Sequence, residues 1–567
     1  TAGGGGNFQV RVNGEPPNTY KTLVDGQDIT NGIDASHLAE ETPSQESLQE
    51  ATLQTSNYSA EFGQVSGGLF NFTTKSGTNH FHGSAYEHWL NEVLNAGNPY
   101  TTSPTGGLVR PASRKNDFGF TVGGPVIIPK VYDGTNKTFF FFNLEYWETT
   151  STSSGSYGTL PTAAFRSGDF SGALTGKQVG VDPLGRPIME NEIYDPLTTR
   201  VLNGKIVRDP FPGNIIPMSR IDPIAAKIQS LIPPATSSSA VNNFAILDHS
   251  SQTMMIPSVK IDQNFGPTSK VSFYWSEFRH DEPKASVDGL PWPISPGRKQ
   301  TTRTNIFRLN LDKTLTSDMF LHFGIGETRY LHSDSAPPSV LDYGAEANLG
   351  LVGCSISSCP FPELTGLGSL SGAGFTDTSD IGLTNAGFYT ENTPTVVGSL
   401  TWAKGNHSYK AGGEWREDLW TDLESVGTGG VYNFASSETG LPYLQAPSVN
   451  GGDVGFPYAS FLLGQADSAS VRNGQEPNMR KYGYGLYVQD TWKATSKLTL
   501  DYGLRYDYQQ AYSESRNRLS EFAPSISNPS AGGLLGATKY QSNGKFTKTY
   551  PYAIGPRIGI AYELNST

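Results

Sequence analysis

The histidines near residue 80 are the first residues whose types and spacing could do chemistry. His80 and His82 are two residues apart, so both imidazoles share one face of an extended strand, and His88 follows on the same face. Imidazole is a common metal ligand, but a metal site needs further converging ligands, and alternation places Glu87 on the opposite face. The pattern therefore favours polar residues that face an aqueous interior over a metal site.

Charged residues elsewhere form no catalytic constellation. Two acidic pairs occur late in the chain: Glu414 with Glu417, and Asp418 with Asp422. Solvated residues explain these pairs better than a glycosidase site does, and no Ser/His/Asp order surrounds the remaining histidines. Four basic residues allow either anion binding or alternating charges along a water-filled interior: Lys270, Arg279, Arg303 and Arg308. We expect a protein that is not an enzyme and that holds no cofactor or metal.

Cys354 and Cys359 are the only cysteines, and they lie in a segment rich in Gly, Ser and Pro. Their spacing is not that of a catalytic Cys-x-x-Cys motif. In an oxidising exterior they would pair and tie the tip of a loop, whereas two free thiols are the alternative. We expect the disulfide.

The composition indicates a β-rich chain. The 567 residues include 64 glycines, 27 tyrosines and 29 phenylalanines against 2 cysteines and 6 methionines, and 36% of the residues are hydrophobic. The net charge of −12 argues against nucleic acid as a partner. No stretch reaches about 18 apolar residues, which argues against a transmembrane helix. The composition does not exclude a membrane β-barrel, because only every second residue of its strands faces lipid.

Alternation of apolar and polar residues predicts the strands that would position these groups. Between residues 497 and 508, one face carries Leu498, Leu500, Tyr502, Leu504, Tyr506 and Tyr508. The other face carries Thr499, Asp501, Gly503, Arg505 and Asp507. The segments 318–326 and 554–562 show the same period. A soluble sandwich would alternate too, so this pattern predicts strands without choosing between water and membrane.

The lengths of the connections are more decisive. Short turns are expected near residues 264–269, 312–317, 404–407 and 493–496, and a longer one at 125–137. Long links lie between them, at 92–115, 149–252, 281–300, 332–392, 421–480 and 510–552. Such alternation is typical of outer-membrane barrels, which have short periplasmic turns and long extracellular loops. It predicts a transmembrane antiparallel β-barrel with about twelve spanning strands, in which segment 466–472 stays in a long loop after a short helix at 459–463.

A motif between residues 61 and 83 carries a family resemblance. It comprises Glu61-Phe62-Gly63, Gly67-Gly68, Thr74-Lys75-Ser76-Gly77-Thr78-Asn79 and Phe81-His82-Gly83. This pattern resembles the end of the plug and the first barrel strand of TonB-dependent outer-membrane receptors of the Oar-like group. The later segments 137–142, 407–414, 487–492 and 556–559 occur in the family's order. The resemblance implies an N-terminal plug domain over residues 1–79 and a barrel over residues 80–567.

The resemblance also implies a function. A receptor of this family lies among the lipids of the cell outer membrane, binds an extracellular substrate, and admits it to the periplasm when the TonB complex of the inner membrane pulls on the plug. Siderophore, oligosaccharide, cobalamin and peptide all remain open as substrates. One alternative is a surface adhesin or secretion-associated barrel without nutrient transport. Another, a secreted multi-domain β enzyme, lacks a catalytic constellation.

Two further expectations concern the extent of the chain and one of its strands. No signal peptide opens the sequence, and about twelve strands are fewer than the 22 of plugged transporters, so we expect a piece of a longer protein. Its sheet edges are expected near residues 80–89 and 553–562. On the strand 498–508, Leu504→Arg should cost roughly 2–4 kcal/mol near mid-bilayer, whereas Arg505→Gln in the lumen should cost little.

Overall fold

The computed structural model describes residues 11–16, 19–30, 42–56, 58–96, 110, 112–284, 288–354, 356–368, 381–382, 386–424, 427–441, 454–474, 476–540 and 548–564. A first sheet, here called the N-terminal sheet, contains β1 (Lys21–Val24), β2 (Gln27–Asp28), β3 (Leu48–Gln54) and β4 (Leu69–Thr74). Its order is β2-β1-β4-β3, with β1 parallel to β4 and the other neighbours antiparallel. β1 is buried throughout, whereas β3 is largely exposed.

A large antiparallel sheet contains twelve of the remaining strands along one continuous path, and a short strand, β25 (Ser513–Glu514), pairs beside it. In chain order, with the intervening numbers left for strands in the connections, these are β5 (His82–Leu90), β6 (Ser113–Pro125), β9 (Thr138–Gly158), β14 (Phe244–Asn264), β15 (Ser269–Glu282), β16 (Lys299–Thr316), β17 (Met319–Ser335), β19 (Gly387–Lys404), β20 (His407–Glu424), β23 (Asn478–Lys493), β24 (Leu498–Gln509) and β28 (Tyr550–Tyr562). Each pairs with the next along the chain, from β5 to β28. The predicted count of about twelve strands is confirmed for the part of the chain that the structure describes.

The connections alternate as predicted. Short turns follow strands β14, β16, β19 and β23. Between β6 and β9 the chain forms a short hairpin of β7 (Ile127–Ile128) and β8 (Tyr132–Asp133). Gly266 and Gly405 have positive φ values of 71° and 59° in two of these turns, which explains why glycine stands there. The long links are shorter than predicted, because the strands extend several residues further toward them.

The long connections contain small elements of their own. The strands are β10 (Gln178–Val181), β11 (Pro187–Met189), β12 (Tyr194–Leu202), β13 (Lys205–Pro210), β18 (Glu363–Thr365), β21 (Val431–Asn433), β22 (Ser468–Ser470), β25 (Ser513–Glu514), β26 (Ser520–Asn528) and β27 (Leu534–Tyr540). The helices are α1 (Ala163–Arg166), α2 (Pro223–Leu231), α3 (Pro338–Leu341), α4 (Ala345–Leu349) and α5 (Pro457–Leu462). The short helix and the non-spanning strand predicted at 459–472 are confirmed as α5 and β22. Among the described residues no helix is long and apolar enough to cross a membrane.

Four long connections fold together rather than separately. We call the described parts of residues 159–243, 283–298, 336–386 and 425–477 the loop unit. One hydrophobic cluster draws residues from all four segments, including Phe165, Ile294, Val340 and Phe461. Backbone hydrogen bonds join the segments, as from Asp222 N to the Leu462 carbonyl at 2.8 Å. α2 begins cleanly because the Asp222 carboxylate accepts from two free amides of its first turn.

The two faces of the large sheet differ as the alternation predicted. On β24, Tyr502 and Leu504 point outward and are 44% and 49% exposed, whereas Arg505 points inward and is 1% exposed. On β28, Ile558 is 77% exposed and the neighbouring Arg557 reaches inward to residues 58–62. The inward face therefore carries polar residues that contact the N-terminal sheet, and the outward face carries an apolar surface.

Candidate functional site

The inward face of the large sheet holds the turn between β1 and β2. The Asp25 carboxylate accepts hydrogen bonds from the Thr74 amide at 2.9 Å and the Thr74 hydroxyl at 2.7 Å. The buried ammonium of Lys260 on β14 lies 3.3 Å from the same carboxylate and donates to Thr74 Oγ1 at 2.8 Å. One cation of the large sheet thus contacts the adjacent ends of β1 and β4 in the N-terminal sheet.

Gln27 enters a space that two glycines leave open. Its amide nitrogen donates to Asn310 Oδ1 at 2.8 Å, and its amide oxygen accepts from the Thr395 hydroxyl at 3.1 Å. A Cβ at Gly324 or Gly326 on β17 would collide with this side chain. The glycines on the polar face of segment 318–326 are therefore explained by the close approach of β2.

Asp28 is the centre of a buried ion-pair network. Its carboxylate lies 3.3 Å from Lys21 Nζ and 2.8 Å from Arg416 Nη1, and it accepts from the Thr30 amide at 2.8 Å. Burial opposes ionisation, but the cations of Lys21 and Arg416 and the bonds from Thr30 outweigh it and hold the pKa of Asp28 well below its usual range. Burial likewise opposes the charge of Lys21, yet Asp28 and Glu414 raise its pKa. Both groups stay charged at neutral pH.

Arg308 continues this contact on β16. It is 1% exposed, and its guanidinium donates to the carbonyls of Asp28, Phe307 and Glu327 and to the Thr328 hydroxyl at 2.8–3.3 Å. Of the two interpretations of Arg308 that the sequence left open, the structure supports a lumen-facing side chain, here used to hold the end of β2.

The first part of the motif forms a second contact with the inward face. Glu61 pairs with Lys410 at 2.5 Å, and the Phe62 carbonyl accepts from Arg557 at 2.6 Å. The Glu61 carbonyl accepts from Arg505 at 2.7 Å, and a Cβ at Gly63 would overlap the Arg505 guanidinium. Gly63 is therefore the residue that admits an arginine of β24 against the backbone of the motif.

The contacts of Arg505 correct the expectation that Arg505→Gln costs little. Its guanidinium also bonds the carboxylates of Asp507 at 2.9 Å and of Glu414. Removing the cation would leave the Asp507 carboxylate and the carbonyls of Ala60 and Glu61 without this donor, in a place almost closed to water. Glu414 would keep only its pair with Lys21. The lumen side of this strand is thus a binding surface for the N-terminal segment rather than a tolerant wall.

The middle of the motif packs within the N-terminal sheet, and its end connects that sheet to β5. The Gly67 amide donates to the Thr19 carbonyl at 3.0 Å, and Gly68 packs on Val12 and Leu53. Thr74 bonds Asp25, Lys75 pairs with Glu46 at 3.8 Å, and Ser76 is the next residue along the chain. Gly77 lies against the carbonyls of Gly124 and Phe140, Thr78 bonds the His80 carbonyl at 3.0 Å, and Asn79 bonds Asn136 at 2.6 Å. Phe81 packs on Phe140, and His82 and Gly83 begin β5.

The histidines of β5 lie as alternation predicted. The His82 ring lies on the inward face with its centroid 6.5 Å from that of Phe141. His88 lies beside Tyr86 on the same face, and Glu87 is on the other. Within the described parts of the chain, no three His, Cys, Asp or Glu side chains gather as metal ligands. Alternation separates the first acidic pair, since Glu414 faces inward whereas Glu417 faces outward and bonds Arg480. Asp418 and Asp422 are four residues apart on β20 and share the inward face, where Asp418 pairs with Lys481 at 3.2 Å.

A cavity of about 230 Å³ lies between the two contacts. Its lining combines both sheets: Lys21, Leu23, Gly26, Glu61, Phe62 and Asn71 on one side, and His322, Ser399, Glu414 and Tyr487 on the other. The cavity leaves space beside the N-terminal sheet, on the side of the large sheet that carries the short turns.

The loop unit carries the cysteines at the far end of the sheet. Cys354 and Cys359 are joined as a disulfide with Cα atoms 5.5 Å apart. Another part of the loop unit holds an ion-pair network, in which hydrogen bonds from Arg200 and Arg186 lower the pKa of the Asp209 carboxyl to about 2. We predict that the exported protein is oxidised at both cysteines. Mass spectrometry of non-reduced peptides checks this, and two free thiols would contradict it.

These features define a membrane barrel whose inward face holds an N-terminal sheet. Residues 73–567 match the sequence model of the outer membrane beta barrel domain, so the chain belongs to that family and lies in the cell outer membrane. The TonB-dependent transporter Oar of Myxococcus xanthus is 34% identical over 133 residues, which are 22% of this chain and 12% of that protein. The resemblance predicted from the motif is confirmed.

Solved structures of similar architecture include the outer membrane transporter YddB from Escherichia coli, with 11% identity and a TM-score of 0.47 over 89% of this chain and 51% of that one. The ferripyoverdine receptor of the outer membrane of Pseudomonas aeruginosa has 10% identity and a TM-score of 0.42, over 96% of this chain and 48% of that one. The chain thus spans about half the length of these structures.

Proposed function

We propose that the chain is the plug and part of the barrel of a TonB-dependent receptor. Residues 1–79 form the plug and residues 80–567 belong to the barrel. The receptor binds a substrate at the cell surface and admits it to the periplasm when the TonB complex of the inner membrane acts on the plug. The family membership and the similarity to Oar support this proposal.

The observation that carries the proposal is the chemistry of the contact between the two sheets. The N-terminal sheet meets the large sheet through hydrogen bonds and ion pairs of Asp25, Gln27, Asp28 and Glu61. Water can replace such partners once the sheets separate, so a typical net contribution is only about 0.5–1.5 kcal/mol per hydrogen bond. A plug held in this way seals the lumen at rest and can leave under force.

A second candidate function is a surface adhesin or secretion-associated barrel. The observation that favours it is the loop unit, whose segments share one hydrophobic core and so form a folded body at the end of the large sheet that carries the long connections. In that function the loop unit binds a partner and the plug stays in place.

A disulfide between the two sheets separates the candidates. Gln27 and Thr395 are in contact, so Gln27→Cys with Thr395→Cys should tie β2 to β19. In a deletion strain complemented with this variant, growth on the nutrient that the wild type imports should stop and should return after mild reduction. Surface binding should persist throughout.

The matched control is Leu53→Cys with Phe70→Cys, which joins two strands within the N-terminal sheet. This variant shares the native disulfide and the reducing treatment, but it leaves the sheets free to separate. Uptake should continue. Unimpaired growth of the strain with the β2–β19 tie would reject import through plug movement and favour the adhesin.

A further inference from the structure

The hairpin of β7 and β8 carries an exposed apolar surface at the end of the large sheet that has the short turns. The two strands are antiparallel and pair through two residues each, and residues 129–131 form the turn between them. Ile127 is 48% exposed, Ile128 50% and Val131 79%. Clustered apolar side chains that stay open to water in this way mark a surface that binds a partner.

The apolar residues occupy both faces of this hairpin. Ile127 and Ile128 are consecutive residues of one strand, so their side chains point to opposite faces. Because each is about half exposed, no other described part of the chain fully covers either face. A two-stranded hairpin alone in water is at best marginally stable. A folded protein docked on one face would leave the other open, whereas a lipid leaflet surrounds the hairpin on all sides.

The hairpin also begins at the level where such a leaflet lies. The apolar outward face of the large sheet reaches the short turns, since Met319 begins β17 and Leu498 begins β24 directly after two of them. On β6, the strand before the hairpin, Phe118, Phe120 and Val122 face outward and are 37–42% exposed. Short turns of outer-membrane barrels are periplasmic. The hairpin therefore continues the lipid-facing surface at the inner leaflet.

The base of the hairpin is joined to the motif that connects the two sheets. The Val126 amide donates to the Thr138 carbonyl at 2.8 Å, and the Gly134 amide donates to the Val126 carbonyl at 2.9 Å. The Asn136 amide donates to Asn79 Oδ1 at 2.8 Å, and Asn79 Nδ2 donates to Asn136 Oδ1 at 2.6 Å. Whatever fixes the hairpin thus also fixes the end of the motif.

We propose that the β7–β8 hairpin inserts its apolar tip into the inner leaflet of the outer membrane. The burial of Ile127, Ile128 and Val131 at the boundary between headgroups and acyl chains supplies the driving force, as it does for interfacial amphipathic segments. Through Asn136 the inserted hairpin holds Asn79, so the end of the motif stays at the membrane surface. Insertion is separate from the proposed import and needs no charged side chain.

The test uses the whole chain in phosphatidylcholine vesicles, with a fluorescent label on one added cysteine. Because Cys354 and Cys359 are joined, Val131→Cys supplies the only free thiol. A nitroxide-bearing lipid quenches the label from within the leaflet, and iodide quenches it from water. The lipid should quench the Val131 label several-fold more strongly than iodide does. The matched control is Ser496→Cys, an exposed polar position in the short turn between β23 and β24, where iodide should be the stronger quencher.

Two further variants of the labelled Val131→Cys chain test the driving force. Ile128→Asp should release the label to iodide, whereas Lys130→Gln should leave it in the leaflet, since removing a charge does not reduce the apolar area. The label at Ser496 should respond equally with and without Ile128→Asp, which shows that the large sheet still spans the vesicle. A Val131 label open to iodide, a label shielded from both quenchers by covering protein, or equal release by Lys130→Gln and Ile128→Asp would each overturn the proposal.

Discussion

Asp28 carries a buried negative charge that is paired with two cations. These surroundings determine how the N-terminal sheet responds to acid. The pKa of Asp28 is lower in the folded chain than in an unfolded one, where it is about 3.9. Protonation therefore favours the separated state. The stabilisation from this group is complete above about pH 4 and is lost only as the pH falls through the lower folded value.

The first prediction follows from this sign. Protease access to the N-terminal sheet should stay constant from pH 7 to pH 5, and Asp28→Asn should raise it at every pH. Leaving Lys21 and Arg416 with one carboxylate fewer should cost about 3–5 kcal/mol. Glu50→Gln on the exposed β3 is the control and should change nothing. Equal protection of Asp28→Asn and wild type at pH 7 would contradict the network.

Gly77 gives the second prediction at the residue scale. A Cβ at this position would press on the backbone carbonyls of Gly124 and Phe140, which cannot move without breaking the ladder. Gly77→Ala should therefore destabilise the folded barrel by about 1–3 kcal/mol, as overpacking does. Gly172→Ala, where a Cβ meets open space, is the matched control. Thermal unfolding in detergent measures both, and equal melting temperatures would argue against this close approach.

The sequence predicted the residues of the motif but not what they contact. Asp25 and Lys260 are 235 residues apart, and Arg416 and Thr30 are 386 apart. No local pattern encodes such pairs. The one available signal was the glycines of β17, whose position on the polar face indicated a close approach by something.

At the scale of the element, the alternation of apolar and polar residues was sufficient to predict which face of a strand points outward. Because each strand must present one face to lipid and one to the interior, the period of two fixed the faces of β24 and β28. The strand lengths were underestimated at the ends near the long connections, since polar residues there keep the backbone ladder without keeping the apolar pattern.

The third prediction compares two neighbours on β24. Leu504→Arg puts a charge on the lipid face and should cost roughly 2–4 kcal/mol if it lies near mid-bilayer. Arg505→Gln should cost about 3–5 kcal/mol for another reason, the loss of a buried cation. Urea unfolding from lipid vesicles measures both. Only Arg505→Gln should also expose the backbone near Glu61 to protease, and exposure in both variants would contradict the division of faces.

At the scale of the whole molecule, the loop unit changes what movement of the extracellular loops can mean. The segments meet through Phe165, Phe170 and Phe456, whose rings are 5.0–5.4 Å apart, and through hydrogen bonds such as Gly382 N to the Ile294 carbonyl at 3.0 Å. Arg208 also donates to three carbonyls between Ser437 and Gly440. No segment can move far without breaking contacts of the others.

The last prediction tests this cooperativity. Ile228 of α2 is 2% exposed in the core of the loop unit, so Ile228→Ala should cost about 2–5 kcal/mol. Because the core is shared, backbone amides in all four segments should lose protection from hydrogen exchange together, while the strands of the large sheet keep theirs. Met218→Ala, at a side chain that is 69% exposed, should leave exchange unchanged. If exchange quickened in residues 159–243 alone, the segments would be independent loops, and opening of the extracellular end would not require the loop unit to move as one body.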